Sequence, residues 1–262
     1  SPIDLKLSGE YGAELQILFW GVLEKACDLK GLTRDRFRGS VHLHSDIPVG
    51  AGLGASAALC VAMSRWFAAL DVIAASEVSE FARTLENLFH GESSGVDIAV
   101  AVSGQPLRFL RGEKPESLKS LVWRPELYVS YSGQRGVTLE CVNQVKALIA
   151  KNPEEGHRLD AQMQESVHMA EKALLMSEPE GRAVLRKSLS LAGDCFEKWG
   201  LAEGAIQNHM SRLRESGALA VKPTGSGRGG YVLSLWPAGF QPPGELQKIL
   251  IPCFSMANPG QI

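Results

Sequence analysis

The chain has 262 residues, 45% hydrophobic and 21% charged, the balance of an ordinary globular protein long enough to bury a core without staples. Lys and Arg total 27 against 29 Asp and Glu, a net charge of -2, which argues against a nucleic-acid-coating surface but leaves room for a small anion held by backbone amides. Cysteines at 27, 60, 141, 195 and 253, widely spaced and without a C-x-x-C, argue against a disulfide framework or a structural zinc and for a reducing compartment.

The longest apolar stretch, Ala57 to Leu70, is interrupted by Ser64 and Arg65 and falls short of the roughly 20 residues that span a bilayer. Ser1-Pro2-Ile3-Asp4 lacks the basic-then-apolar pattern of a signal peptide, so the expectation is a cytoplasmic protein with no membrane partner. Leu15, Leu18, Phe19, Val22, Leu23 and Ala26 recur at helical spacing, which predicts an amphipathic helix over 14–29 with Gly31 as its stop. Ser40 to His44 alternates with period two and predicts a strand, Val41 and Leu43 on one face and His42 and His44 on the other. A glycine loop and a helix running to about Leu70 follow. A second amphipathic helix carries Val78, Phe81, Ala82, Leu85, Leu88 and Phe89 and ends at His90-Gly91. A polar turn over 92–95 leads into the apolar run Ile98 to Val102.

Composition shifts to charged residues between Arg111 and Ser120, and a domain boundary is placed there, dividing the chain into 1–115 and 116–262. Beyond it the pattern predicts a strand at Leu127–Tyr131, a helix near Leu139–Ala150 and helices across 158–217. A second glycine-dense loop spans Lys222 to Gly230, with a strand at Tyr231–Leu235. The proline-rich tail reads as irregular.

Two stretches carry chemistry. In Pro48-Val49-Gly50-Ala51-Gly52-Leu53-Gly54-Ala55-Ser56-Ala57-Ala58, three glycines at i, i+2 and i+4 precede a helix. Glycine lets the backbone take positive φ and approach a ligand closely, and a helix N-terminus favours an anion such as phosphate. The alternative is a tight turn with Ser56 as helix cap. No Gly-Lys-Ser/Thr follows, so this is not a Walker A loop, and the glycine spacing is not that of a dinucleotide fold. In the second stretch, Glu86 sits at the edge of the stripe formed by 78, 82, 85 and 89, where a half-buried carboxylate suits a Mg²⁺ ligand or a solvated flank. Asp97, just before an apolar run, is either a general base or a helix cap. His90 reads as a helix-end cation.

Together with Lys222-Pro223-Thr224-Gly225-Ser226-Gly227-Arg228-Gly229-Gly230, these two stretches resemble, in order and rough spacing, the three motifs of the galactokinase–homoserine kinase–mevalonate kinase–phosphomevalonate kinase (GHMP) superfamily. The His90-Gly91 and Ser94-Gly95-Val96-Asp97 strings are most similar to its mevalonate kinase branch. The resemblance implies an α+β, two-domain fold with the active site between the domains and the N-terminal domain shortened. It further implies ATP- and Mg²⁺-dependent phosphorylation of a small alcohol of the mevalonate type. Gly50, Ala51, Gly52, Leu53, Gly54, Ala55 and Ser56 would bind ATP, Ser56 and Glu86 would hold Mg²⁺, and Asp97 would be the catalytic group. His90, Ser94, Thr138, Gly225, Ser226 and Gly227 would lie on the substrate side. A homodimer is common in that family. The runner-up readings are phosphomevalonate kinase or another kinase of the superfamily, and a catalytically weak nucleotide-binding homologue.

Several residues depart from the superfamily pattern. Ala55 replaces a loop serine, Arg228 a glycine, and Ser93 stands where a proline is usual. Arg135 is one residue further from Thr138 than the pattern has it. At the start, Asp4 falls in the register of the superfamily's phosphate-side lysine, and Lys6 is off register.

Overall fold

The structure, a computed structural model, describes residues 2–90, 93–118, 121–136 and 138–254; of 88–90 and 138 the backbone alone is described. The chain divides into two compact units, Ser1–Leu118 and Lys119–Ile262.

The first unit opens with strand β1 (Ile3–Ser8), helix α1 (Gly12–Leu29) and strand β2 (Gly39–His44). β1 and β2 pair in parallel with Ile3 opposite Gly39 and Ser8 opposite His44. Parallel neighbours need a crossover connection, and α1 supplies it. The sequence pattern leads straight into α1 and leaves β1 unread, because the apolar residues Ile3, Leu5 and Leu7 alternate over too few positions beside the strong helical period that follows. α2 (Ala55–Ala69), α3 (Val78–His90) and α4 (Val96–Ser103) complete this unit's helices. Short strands β3 (Leu107–Arg108) and β4 (Glu116–Ser117) pair antiparallel. The core joins Leu15, Phe19, Val22 and Leu23 of α1 to Cys60, Val61 and Phe67 of α2, with Ala82 and Leu85 of α3 and Ile98 of α4. α2 therefore has neighbours on several sides, α1, α3 and α4, which explains its nearly all-apolar sequence.

The second unit is a four-stranded antiparallel sheet with helices. Its elements are β5 (Leu127–Tyr131), α5 (Thr138–Lys151), α6 (Pro153–Leu174), α7 (Glu178–Lys198), α8 (Ala205–Glu215), β6 (Ala220–Pro223), β7 (Tyr231–Leu235), α9 (Gly244–Ile249) and β8 (Ile251–Pro252). The strand order is β6-β7-β5-β8. α7 packs against both α6 and β6. One core cluster gathers Leu159, Ile206, Met210, Leu213, Val232 and Trp236, and another Trp123, Ala173, Leu185 and Leu235.

Two expectations are corrected here. Lys222 belongs to β6 rather than to the glycine loop, since Lys222 pairs with Leu233 and Pro223 with Val232. The tail is not wholly irregular: α9 starts right after Pro243, and β8 pairs with the edge of β5 through Val129 and Ile251. Proline is compatible with both, at a helix start and on an edge strand. Among the described residues, no helix is long and apolar enough to cross a membrane.

Candidate functional site

The first glycine loop runs from β2 into α2 with left-handed backbone at every second residue: φ is 72° at Gly50, 80° at Gly52 and 72° at Gly54. The i, i+2, i+4 spacing is thus a conformational requirement, because a side chain in that region is strained. Gly54 is the N-cap of α2, no side chain caps the helix, and the helical ladder begins with the Ala58 amide donating to the Gly54 carbonyl at 2.9 Å. Ser56 is therefore not the cap; it lies half-buried inside the first turn. A helix N-terminus carries unpaired main-chain donors and the positive end of its dipole, an arrangement suited to a phosphate. A Cβ on Gly52 would meet nothing within 4 Å, so the bend faces open space at this position.

Asp97 approaches this bend from α4. Gly95 caps α4 with φ at 84°, and Asp97 lies in the helix's first turn rather than at the cap. A Cβ on Gly54 would stand 3.6 Å from both Cβ and Cγ of Asp97. The Asp97 side chain is exposed, so its carboxylate sits at the surface beside the N-terminus of α2.

Glu86 is more deeply placed than its helical position predicts. It is 2% exposed, a buried carboxylate rather than a half-solvated one. The reason is the packing of α3 on α2, which closes over the edge of the apolar stripe. The Ser93 hydroxyl donates to Glu86 Oε2. Burial, and after it the Glu86 charge, push the Cys60 thiol of α2 up to about 12. Ser56 lies four residues before Cys60, one turn up the same face of α2. The oxygens of Glu86 and Ser56 are hard donors of the kind Mg²⁺ takes, and a buried carboxylate gains from a nearby cation. Among the described residues, no group of three or more His, Cys, Asp or Glu side chains is placed to hold a metal. A divalent ion here would draw most of its coordination from phosphate oxygens and water, which is the habit of Mg²⁺.

Ser94, beside the buried Ser93, is exposed, and its hydroxyl accepts the Val96 amide at 3.4 Å. His90 ends α3, but its side chain lies outside the described ones. Lys6 is exposed and 3.8 Å from Asp4, across from His42 in the β1–β2 register. His42 and His44 share one face as expected; Ser8 Oγ lies 2.8 Å from His42 Nε2 and 2.9 Å from His44 Nδ1.

Gly225, Ser226 and Gly227 belong to the second unit, in the turn between β6 and β7. Gly227 has φ at 86°, and a Cβ there would come within 2.7 Å of the Leu201 carbonyl oxygen. Gly136 packs on the same turn, since a Cβ on it would lie 2.5 Å from the Gly227 carbonyl oxygen. The Arg135-Gly136 segment and the third motif are thereby brought together. Thr138 opens α5 two residues later, and its side chain lies outside the described ones. Arg228 carries φ at 57°, a left-handed conformation on a non-glycine residue.

Sequence reasoning missed two members of this arrangement. Ser93 stands out in the sequence as a serine in a proline's place, without a partner to suggest. Cys60 had a usable signal, its four-residue spacing from Ser56.

The profile of the GHMP kinases N-terminal domain matches residues 18–105. The mevalonate kinase of Aeropyrum pernix is 31% identical over 206 residues, covering 76% of this chain and 61% of that one. The mevalonate kinase of Thermococcus sibiricus is 30% identical over 244 residues, covering 87% of this chain and 68% of that one. Among solved structures, L. major mevalonate kinase in complex with R-mevalonate superposes with a TM-score of 0.73 at 22% identity, over 90% of this chain and 74% of that one. The chain thus spans about two thirds of the length of these curated relatives. With the glycine loop, the buried glutamate and the aspartate in their expected order, this chain belongs to the GHMP kinase family.

Proposed function

We propose that this chain carries out ATP-dependent phosphorylation of the primary hydroxyl of a small alcohol, mevalonate, giving 5-phosphomevalonate and ADP in the cytoplasm. The observation that carries the reading is the approach of Asp97 to Gly54, which sets a carboxylate beside a bend built to receive phosphate.

The chemistry follows from that juxtaposition. The main-chain donors of Gly50, Ala51, Gly52, Leu53, Gly54, Ala55 and Ser56 hold the phosphates of ATP. Asp97 orients the alcohol hydroxyl and takes its proton as the oxygen forms its bond to the γ-phosphorus and the bond to the ADP oxygen breaks. A triphosphate at this helix end meets like charge from Asp97 and Glu86. Bound Mg²⁺ would offset that charge and the charge on the transferred phosphoryl group. Ser56 and Glu86 are the residues that would hold it. Ser94 and His90 are assigned to the substrate side on the superfamily pattern.

The relatives are named for mevalonate, and that name supports the choice of alcohol. The test is ADP release with ATP and a panel of mevalonate, 5-phosphomevalonate, homoserine and galactose. Turnover confined to mevalonate is expected. Turnover on another member would move the substrate within the family. ATP binding by calorimetry without turnover on any of them would replace the kinase reading with a nucleotide-binding one.

A further inference from the structure

The buried Ser93 hydroxyl stands between two features of the first unit that the proposed chemistry uses. Its oxygen accepts the Gly95 amide at 3.1 Å, so its single proton is directed elsewhere, to Glu86 Oε2. Its own amide donates to Asn87 Oδ1 at 2.9 Å, which ties Ser93 to the helix that carries Glu86. Gly95 is the N-cap of α4, two residues before Asp97. One hydroxyl therefore couples the carboxylate on α3 to the start of the helix bearing Asp97. We infer that Ser93 is a positioning residue that fixes the Glu86 carboxylate for divalent-cation binding and sets the affinity of that cation.

The physical argument is one of geometry and burial. Glu86 is 2% exposed, so water does little to orient it, and a buried carboxylate takes the direction its hydrogen-bond donors impose. With Oε2 engaged by Ser93, the carboxylate's rotation is restricted. Partners of this kind orient metal ligands, and losing one typically weakens metal affinity about 10–100-fold. A proline at position 93 would have neither the hydroxyl nor the amide hydrogen. Both bonds are thus features of this chain's own sequence and not of the superfamily pattern.

The inference rests on the kinase reading, in which Glu86 faces a nucleotide-bound cation, and its test separates the two. Mn²⁺ binding in the presence of a non-hydrolysable ATP analogue is followed by electron paramagnetic resonance of the free ion, for the full chain and for Ser93→Ala, Ser93→Thr and Glu86→Gln. Melting of each protein without metal checks the fold. Ser93→Ala is expected to weaken Mn²⁺ by about 10-fold or more, Ser93→Thr to restore most of the affinity, and Glu86→Gln to weaken it further. A serine with only a structural role would lower the metal-free melting temperature and leave the affinity of the folded protein unmoved. Affinity unchanged or tightened in Ser93→Ala, with Glu86→Gln impaired, overturns the inference and keeps the kinase reading. Affinity unchanged in Glu86→Gln overturns both. Should Ser93→Ala not fold, Ser93→Cys, a weaker donor of similar shape, is measured in its place, and unchanged affinity there overturns the inference equally.

Discussion

Gly54 and Asp97, forty-three positions apart, are in contact range: a Cβ added to Gly54 would lie 3.6 Å from the Asp97 carboxyl carbon. The carboxylate thus stands beside the N-cap of α2, where the helix dipole favours negative charge. Asp97→Asn keeps the side chain's shape and removes its ability to accept a proton. Turnover is expected to fall by about 10²–10⁴. ATP affinity is expected to hold or rise, because a like charge leaves the helix end proposed to bind phosphate. ADP release and calorimetry with ATP check the two halves; unaltered turnover removes Asp97 from the proposed role.

Gly54→Ala tests the other side of the same contact. The new methyl fits at ordinary van der Waals distance from Asp97, so a clash is not the issue. The issue is φ at 72°, which costs a residue with a side chain roughly 1–2 kcal/mol. A fall of a few degrees in the melting temperature is expected. Turnover is expected to drop by about tenfold or more, since small misplacements of reacting groups are costly. Lowered stability with full turnover would make Gly54 a conformational residue only.

The parts of this site legible in the sequence are those set by local conformation. Glycines at 50, 52 and 54 mark left-handed backbone whatever surrounds them, and α1, α2 and α3 follow from apolar periodicity. What stayed hidden depends on packing between elements. Glu86 reads as a stripe-edge residue until α2 closes over it, and Ser93 gains its meaning only when its hydroxyl meets that carboxylate. β1 and β8 were lost for a related reason: each is short and owes its form to a partner strand, β2 and β5, not to its own pattern.

Arg228 is a second place where sequence and backbone disagree. Its φ of 57° is left-handed, its side chain is exposed, and its amide donates to the Leu201 carbonyl at 2.6 Å. Arg228→Gly keeps that bond and relieves strain of about 1–2 kcal/mol, against about 0.4–1 kcal/mol of added unfolded-chain freedom. The variant is expected to be more stable by about 0.5–1 kcal/mol on this balance. A urea midpoint moved upward at constant slope is the observation to look for. A lowered midpoint would mean that the arginine side chain holds a contact worth more than the strain.

Lys222 on β6 sets a pH dependence. Part of the residue reaches the surface, but its ammonium is turned inward: Nζ donates to the Pro223 carbonyl at 2.7 Å and lies 5.5 Å from the centroid of the Phe196 ring. Loss of hydration pushes its pKa down from 10.5 to about 8. Below pH 8 the lysine is charged in both folded and unfolded chains, and the fold bears the full cost of burying that charge. Between about pH 8 and 10.5 the unfolded chain holds a proton that the folded chain has released, so stability rises with pH across this window. Above it the lysine is neutral in both states and its contribution levels off. Lys222→Met replaces the amine with an apolar chain of similar length and is expected to remove this rise, with a gain on the order of 1–3 kcal/mol at pH 7. Parallel denaturant titrations of both proteins from pH 7 to 10.5 give the comparison. If their difference in stability is constant with pH, the ammonium is as well hydrated in the folded unit as in the unfolded chain, and the inward placement of Nζ is wrong.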